Sequence, residues 1–421
     1  IHAQPIQLSY SSKLNTDGSL MKPTDDDPYP RIESVLYGSM EGALHLVNAE
    51  TGVEQMAFVP KEILANDTAS GALRVGAQDA SATPQTPSQG VDGPWVADPA
   101  YKASKGATPR LIASRMNVYG GLRMGGSSYY GLDLSNKSDD TVTPKLLFRI
   151  GPDIPDYSQM GQSWSKPVLA NVRYGGVITR VMLIGGGYDT GYESSSFRPS
   201  SSAAGNTVYM VHATTGELIW HAKTTDNAHL THSIPGRVSA IDRDQDGLID
   251  SIYFADLGGQ VFRADFNNKH GTSTSKFGVR VTRLADLATT TQKENGTNPR
   301  FYEAPTVTVH DHGTKTFALI TAASGDRSSP LDVIDVSLGG KGLRSQPVNN
   351  VYGIVDRDVA RPDLIKLNSA GTTGTSARAG SESRQRINTD RGSLMPIKNL
   401  CSSVFICVCQ SLLIRAQPKR Q

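Results

Sequence analysis

Three stretches of this chain share one plan: a short strand, a polar turn, and a strongly apolar strand that runs out into glycine. They read KPVLANVRYGGVITRVMLIGGG from Lys166, GRVSAIDRDQDGLIDSIYFADLGG from Gly236 and APTVTVHDHGTKTFALITAASG from Ala304. Aligned on Pro167, Arg237 and Pro305, the copies lie about 70 residues apart. A repeated unit of this kind cannot bury its apolar face alone, so neighbouring copies must stack. A second pattern recurs as well, a strand ending in a turn of the form aTGe: GALHLVNAETGVEQMAF from Gly42 and NTVYMVHATTGELIWHAK from Asn206, with looser echoes in SSYYGLDLS from Ser127 and GGQVFRADF from Gly258. Alternate apolar residues mark half-buried strands, and Thr-Gly supplies the positive φ that a tight hairpin needs.

Short multi-stranded units repeated around a ring bury a continuous core and leave few free edges, which is the β-propeller solution. The spacing exceeds the roughly 40 to 50 residues of a usual blade, so long loop insertions are expected; an array of β-sandwiches is the alternative. The 41 Gly and 23 Pro, with no long amphipathic helical stretch, agree with an all-β chain. We place the propeller at 31–365, behind an N-terminal extension at 1–30. Residues Asp67 to Pro109, rich in Ala, Ser, Pro and Gly, read as an insertion crossing one face, and Ser194 to Asn206 as a flexible loop. From 366 to 421 the chain turns Ser, Thr and Arg rich, and a poorly ordered tail is expected.

Charge bears on partners. Lys and Arg number 42 against 40 Asp and Glu, and no segment concentrates basic residues with interleaved aromatics, which excludes a dedicated nucleic-acid binder. The three cysteines, Cys401, Cys407 and Cys409, all fall in the tail, so the rest needs no disulfide. The one long apolar run, Leu400 to Ile414, is shorter than the roughly 20 residues of a spanning helix, and no transmembrane segment is expected. No charged n-region opens the chain, and its start at Ile1 is the expectation for the mature piece of an exported protein.

The chemistry concentrates in DRDQDGLID. Asp242, Asp244, Asp246 and Asp250 occupy positions 1, 3, 5 and 9, with Gly247 at 6 and Leu248 at 7. Alternation turns the first three carboxylates to the inside of a tight loop, glycine permits the sharp bend, the Leu248 carbonyl can then point inward, and Asp250 closes the shell. This is the ligand logic of the first half of an EF-hand loop, here set between strands, and it points to Ca2+ rather than Mg2+, which keeps its waters and near-ideal octahedral geometry. A solvated hairpin that binds nothing would account for a bare D-x-D, but not for three alternating aspartates, the glycine and the ninth-position acid together. No H-E-x-x-H, G-x-S-x-G, P-loop or strand-linked G-x-G-x-x-G occurs, and His310 and His312 flank Asp311 in a polar turn without zinc-ligand spacing.

The segment AIDRDQDGLIDSIYFADLGGQVFRADF resembles the calcium-loop blade of the PilY/PilC family of type IV pilus tip-associated proteins, in which D-x-D-x-D-G-x-x-D runs into an apolar strand, then D-L-G-G and an aromatic-Arg pair. VLYGSMEGALHLVNAETGVEQMAFVPKEIL, GGLRMGGSSYYGLDLSN, GQSWSKPVLANVRYGGVITRVMLIGGGYD and FYEAPTVTVHDHGTKTFALITAASGDRSSPLD with NNVYGIVDRDVARPD are similar to other blades of the family, in the same order, from Val35 to about Asp363. The resemblance implies a modified, quinoprotein-like β-propeller that is exported to the pilus tip, cell surface or outer membrane of a Gram-negative bacterium. It implies roles in pilus assembly against retraction, attachment to host or abiotic surfaces, twitching motility and competence, with minor pilins as partners. The site carried over is Asp242, Asp244, Asp246 and Asp250 by side chain and Leu248 by carbonyl.

The family's large N-terminal region is absent, and the basic, cysteine-bearing end does not match its closing segment. Two rivals share the repeat. Pyrroloquinoline-quinone alcohol dehydrogenases are calcium-dependent propellers, but they need a tryptophan-docking pattern in most blades and often a vicinal Cys pair, whereas this chain has three Trp and no such pair. Integrin-type propellers carry similar hairpins in several blades, and here one does. The expectation is therefore a chain that is not an enzyme.

Overall fold

The structure, a computed structural model, describes residues 3–65, 89–104, 108–138, 140–193, 202–311, 313, 316–327, 349–360 and 364. It is all-β, a row of antiparallel blades. Blade 1 is the meander β1 (Ile6–Lys13), β2 (Arg31–Gly38), β3 (Leu44–Asn48) and β4 (Glu54–Phe58), closed by a short helix α1 (Lys61–Ala65). Blade 2 holds β5 (Trp95–Ser104), β6 (Arg110–Gly121) and β7 (Tyr129–Asp133). A small hairpin of β8 (Lys137–Ser138) and β9 (Thr141–Val142) then leads to β10 (Lys145–Ile150), which pairs with β7. Blade 3 is β11 (Val168–Tyr174), β12 (Val177–Gly185), β13 (Val208–His212) and β14 (Leu218–Ala222). Blade 4 is β15 (Ser239–Ile241), β16 (Ser251–Ala255), β17 (Gln260–Phe266) and β18 (Gly278–Asp286). A capped helical turn α2 (Thr290–Asn295) leads to blade 5, which has three strands among the described residues: β19 (Thr306–His310), β20 (Phe317–Ala323) and β21 (Val351–Asp356).

The two repeat patterns are halves of one unit. The strand-turn-apolar-strand copies are the first hairpins of blades 3, 4 and 5, and the aTGe copies are the last hairpins of blades 1 and 3. Their turns are built alike. Asn48 accepts the Glu50 and Thr51 amides through its side-chain oxygen, and His212 accepts those of Thr214 and Thr215 through Nδ1. Gly52 and Gly216, at φ +72 and +73, donate to the Asn48 and His212 carbonyls at 2.9 Å. An L side chain is disfavoured in that conformation, so glycine holds the position.

Central strands are apolar on both faces because both faces are packed. In β12, Val181 and Leu183 join Ile252, Phe254 and Phe262 of blade 4 in one core, while Met182 and Ile184 join Tyr119, Tyr129 and Phe148 of blade 2 in another. In β16, Ile252 and Phe254 face blade 3, and Tyr253 and Ala255 pack with Ala318, Ile320 and Ile354 of blade 5. A period of two thus sends successive side chains to different neighbours. Blade 1 packs on blade 2 through Leu8, Leu36 and Leu46 against Met116, Val118 and Leu132.

Two boundaries differ from the sequence reading. Residues 1–30 are no separate extension, for β1 pairs with β2 and reaches β6, and Leu8 and Tyr10 are buried in the first core. The acidic, proline-rich stretch at 22–30 is part of the connection between β1 and β2 inside blade 1. Of the insertion expected from Asp67 to Pro109, residues 67–88 and 105–107 lie outside the described residues, but Trp95–Ser104 is strand β5. Pro99 disguises it. Among the described residues the strand pairs only with β6, so its outer edge loses no ladder hydrogen bond to the proline. Residues 194–201 of the expected loop and all of the expected tail at 366–421, with its three cysteines, also lie outside the described residues. The end of that loop is tied down: Ser202 is buried, its hydroxyl lying 3.1 Å from the Tyr192 hydroxyl and accepting the Ser233 amide. No helix among the described residues is long and apolar enough to cross a membrane.

Candidate metal centre

The aspartate loop joins β15 to β16, the first two strands of blade 4. Its carboxylates organise the backbone before any ion is considered. Asp242 accepts the Gln245 amide on one oxygen at 2.7 Å and the Gly247 amide on the other at 2.8 Å. Asp246 accepts the Leu248 amide at 2.9 Å, and Asp250 accepts the Arg243 amide at 2.8 Å. Gly247 sits at φ +86 with open space where a Cβ would lie, so the backbone conformation and not crowding demands glycine there. Gln245 adopts φ +62, an uncommon conformation for a residue with a side chain, and the hydrogen bond its backbone N–H donates to Asp242 holds it.

Asp242, Asp244 and Asp250 each bring a carboxylate oxygen within 4.8 Å of the other two. Oxygens on opposite sides of a calcium ion, at roughly 2.3 to 2.6 Å each, stand about 5 Å apart. The trio therefore fits a hard cation by donor type and span. Without one, each pair of like charges at such distances costs about 1 kcal/mol in water-like surroundings and about 4 at an effective dielectric of 20. Asp246 stands outside this trio, engaged with the Leu248 amide, and Leu248 contributes a buried side chain that anchors the loop's exit. Asp244 and Asp246 are exposed, whereas Asp250 is 5% exposed. Burial pushes the Asp250 carboxyl above the usual carboxylate range; the Arg243 amide opposes this and the Asp244 charge adds to it.

Neighbouring blades hold the loop from both sides, through residues the sequence did not single out. Asn171 of β11 accepts the Ile249 amide at 2.9 Å. Asn268, just past β17, donates to the Ile249 carbonyl at 2.9 Å and accepts the Arg173 amide at 2.9 Å. On the other side, the Arg243 guanidinium donates to the Val359 carbonyl at 2.8 Å. Beneath the loop lies a buried charge cluster. Arg263, 1% exposed, pairs with Asp265 at 2.9 Å and with Asp356 of blade 5. Ser251 donates to Asp265 at 2.8 Å and Tyr253 to Asp356 at 3.1 Å. The FRADF run hinted at Arg263, but its partner Asp356 is 93 residues away.

Other arrangements resolve into packing. Ser39, His45 and Glu54 form a chain, with His45 3.1 Å from the Ser39 hydroxyl and 2.8 Å from Glu54. The Ser39 hydroxyl is also bound to the Ala43 carbonyl and amide, so it clamps the turn between β2 and β3. Trp95 lies on Gly120 of the neighbouring strand within blade 2, Trp220 of blade 3 lies on Gly278 and Phe266 of blade 4, and Trp164 lies on Tyr188 at 4.4 Å between ring centres. Arg123 lies 4.6 Å over the Trp164 ring, and Tyr302 joins this cluster from the blade 4 to blade 5 connection.

Fold and site together define a blade-repeat propeller with one acidic hairpin wedged between three consecutive blades. The family model for the PilY1 β-propeller domain matches residues 8–283, and the chain belongs to that family. The type IV pilus biogenesis factor PilY1 of Pseudomonas aeruginosa (strain UCBPP-PA14) is 22% identical over 475 residues, covering 99% of this chain and 38% of that protein. A PilY1 homologue from Xylella fastidiosa (strain Temecula1) is 25% identical over 247 residues, covering 56% of this chain and 14% of the relative. This chain thus spans well under half the length of either. The crystal structure of the Pseudomonas aeruginosa PilY1 C-terminal domain superposes with a TM-score of 0.51 at 20% identity, covering 83% of this chain and 61% of that one, a likeness of fold.

Proposed function

We propose that the Asp242–Asp250 loop binds one calcium ion and that the chain serves type IV pilus biogenesis as a non-enzymatic propeller. The observation that carries the metal reading is the trio of carboxylate oxygens within 4.8 Å of one another, formed by Asp242, Asp244 and Asp250. The Leu248 carbonyl and Asp246 complete the proposed shell. An ion there neutralises three converging negative charges and ties the first hairpin of blade 4 into a fixed shape. The pilus reading is supported by membership of the PilY1 propeller family and by the names of the two relatives. Under it the protein is exported to the pilus tip, cell surface or outer membrane, meets minor pilins, and supports extension against retraction, twitching motility, competence and attachment to host or abiotic surfaces.

Calorimetric titration of the purified chain with calcium tests the metal reading, beside Asp244→Asn, which removes one exposed charge from the trio. One site in the parent and binding weakened at least about tenfold in the variant is the expected outcome; a parent without binding overturns it. In a piliated bacterium that carries this protein, deletion should abolish surface pili, and blocking retraction should restore them. Normal piliation after deletion would refute the biogenesis role.

A further inference from the structure

We infer that the proposed calcium site is coupled to the residues following blade 5, so that occupancy of the loop clasps Val359 and Leu364 onto blade 4. This rests on the calcium reading. Arg243, the second residue of the loop, is the link. Its amide is held by Asp250, a carboxylate of the proposed site, while its guanidinium donates to the Val359 carbonyl, 116 residues further along. A second arginine of blade 4, Arg280, donates to the Leu364 carbonyl and pairs with Asp265 at 3.7 Å. Val359 and Leu364 are both buried, and the Asp358 amide is fixed by Asp356, itself bound to Arg263. Val359 and Leu364 thus reach blade 4 through two arginine-to-carbonyl bonds, and one of these arginines has its backbone inside the acidic loop.

The coupling follows from the loop's charge. Three carboxylates converge, opposed by the loop's own amides, by the Arg243 charge and by Asn268 at Asp250, so without a cation their residual repulsion favours a spread loop. Spreading moves the backbone at Asp242–Asp244, and Arg243 then leaves its place opposite the Val359 carbonyl. An ion that favours the closed loop therefore favours the clasped segment, and by linkage the clasped segment raises the affinity for the ion by the same factor. Arg243 acts here as a positioning residue and contributes no ligand.

Hydrogen exchange of the full chain, in calcium and in EDTA, tests this alongside calorimetry. Peptides covering residues 351–364 should exchange about 10-fold more slowly in calcium, within the usual range of coupling between sites, while peptides from blade 1 stay unchanged. Arg243→Gln should still bind calcium, more weakly, with no calcium-dependent protection of the segment. Arg280→Gln, which leaves the loop untouched, should lower protection in both conditions. If the parent binds calcium and the segment's exchange does not respond, or if Arg243→Gln keeps the full response, the coupling is wrong while the metal reading stands. If calorimetry finds no calcium site, the metal reading fails and this inference fails with it.

Discussion

Replacing Arg263 by methionine keeps the aliphatic bulk of the side chain and removes the charge that neutralises Asp265 and Asp356. All three groups are at most 1% exposed, so water cannot substitute for the guanidinium. Breaking one side of a buried ion pair typically costs about 3–5 kcal/mol, because the remaining charge stays desolvated. Two carboxylates are left here, though not equally. Asp265 keeps Ser251 and the more distant Arg280, while Asp356 keeps the Tyr253 hydroxyl and the Asp358 amide. A loss of about 4 kcal/mol at pH 7 is expected, and for a chain of this size it lowers the melting temperature by roughly 5 °C. The dependence on pH supplies the sharper test. In the variant the two buried carboxylates lose the guanidinium that neutralised them, and protonation relieves that loss. The deficit must therefore grow as pH rises from about 4 towards 7 and shrink on acidification. A second change, Asp356→Asn, should recover part of the loss by removing one buried charge. Thermal unfolding followed by circular dichroism at several pH values measures all of this. A deficit below about 1 kcal/mol at pH 7, or one that deepens in acid, would refute the reasoning.

Calcium at one hundred times its dissociation constant should raise the unfolding free energy by about 2.7 kcal/mol, read as a higher urea midpoint that EDTA reverses. His232, held below its usual range to about 4 by burial and then by Lys293, stays neutral in the folded chain, so its contribution is present above pH 6.5 and lost as pH falls towards 4. Comparing the urea midpoints of the parent and His232→Gln should show the parent losing up to about 3 kcal/mol relative to the variant over that window; an unchanged difference refutes it. Asp256, raised to about 7 by burial, works in the opposite sense in the parent, and the comparison removes its contribution. Gly258→Ala would put a Cβ 2.1 Å from the His232 ring, and an overpacking loss of about 1–3 kcal/mol is expected in the same assay.

Most of the blade architecture was legible because its signals are local. Strand alternation, the Thr-Gly turns and the apolar strands ending in glycine each lie within about 20 residues, and so does the aspartate loop, whose ligand candidates are consecutive. Strand β5 escaped because Pro99 and small residues blur its period, and β1 because the acidic stretch after it looks like a domain edge. Within the loop, spacing gives Asp246 the same standing as Asp242 and Asp244, and the structure adds that one of its oxygens accepts the Leu248 amide.

By itself, then, the sequence determined the strand periods, the hairpin turns and the acidic loop, since backbone conformation and nearest-neighbour hydrogen bonds set these over a few residues. Which blade faces which, and therefore that Arg263 meets Asp356, Arg180 meets Asp98 at 2.6 Å, and Arg243 meets Val359, was decided only by the tertiary structure. Those partners are 82 to 116 residues apart. A strand apolar on both faces announces that it is buried between two layers, but many apolar neighbours would satisfy it equally well. The match is settled when stacking brings the polar groups between blades into pairs, because a buried charge left alone costs more than any local preference can offset.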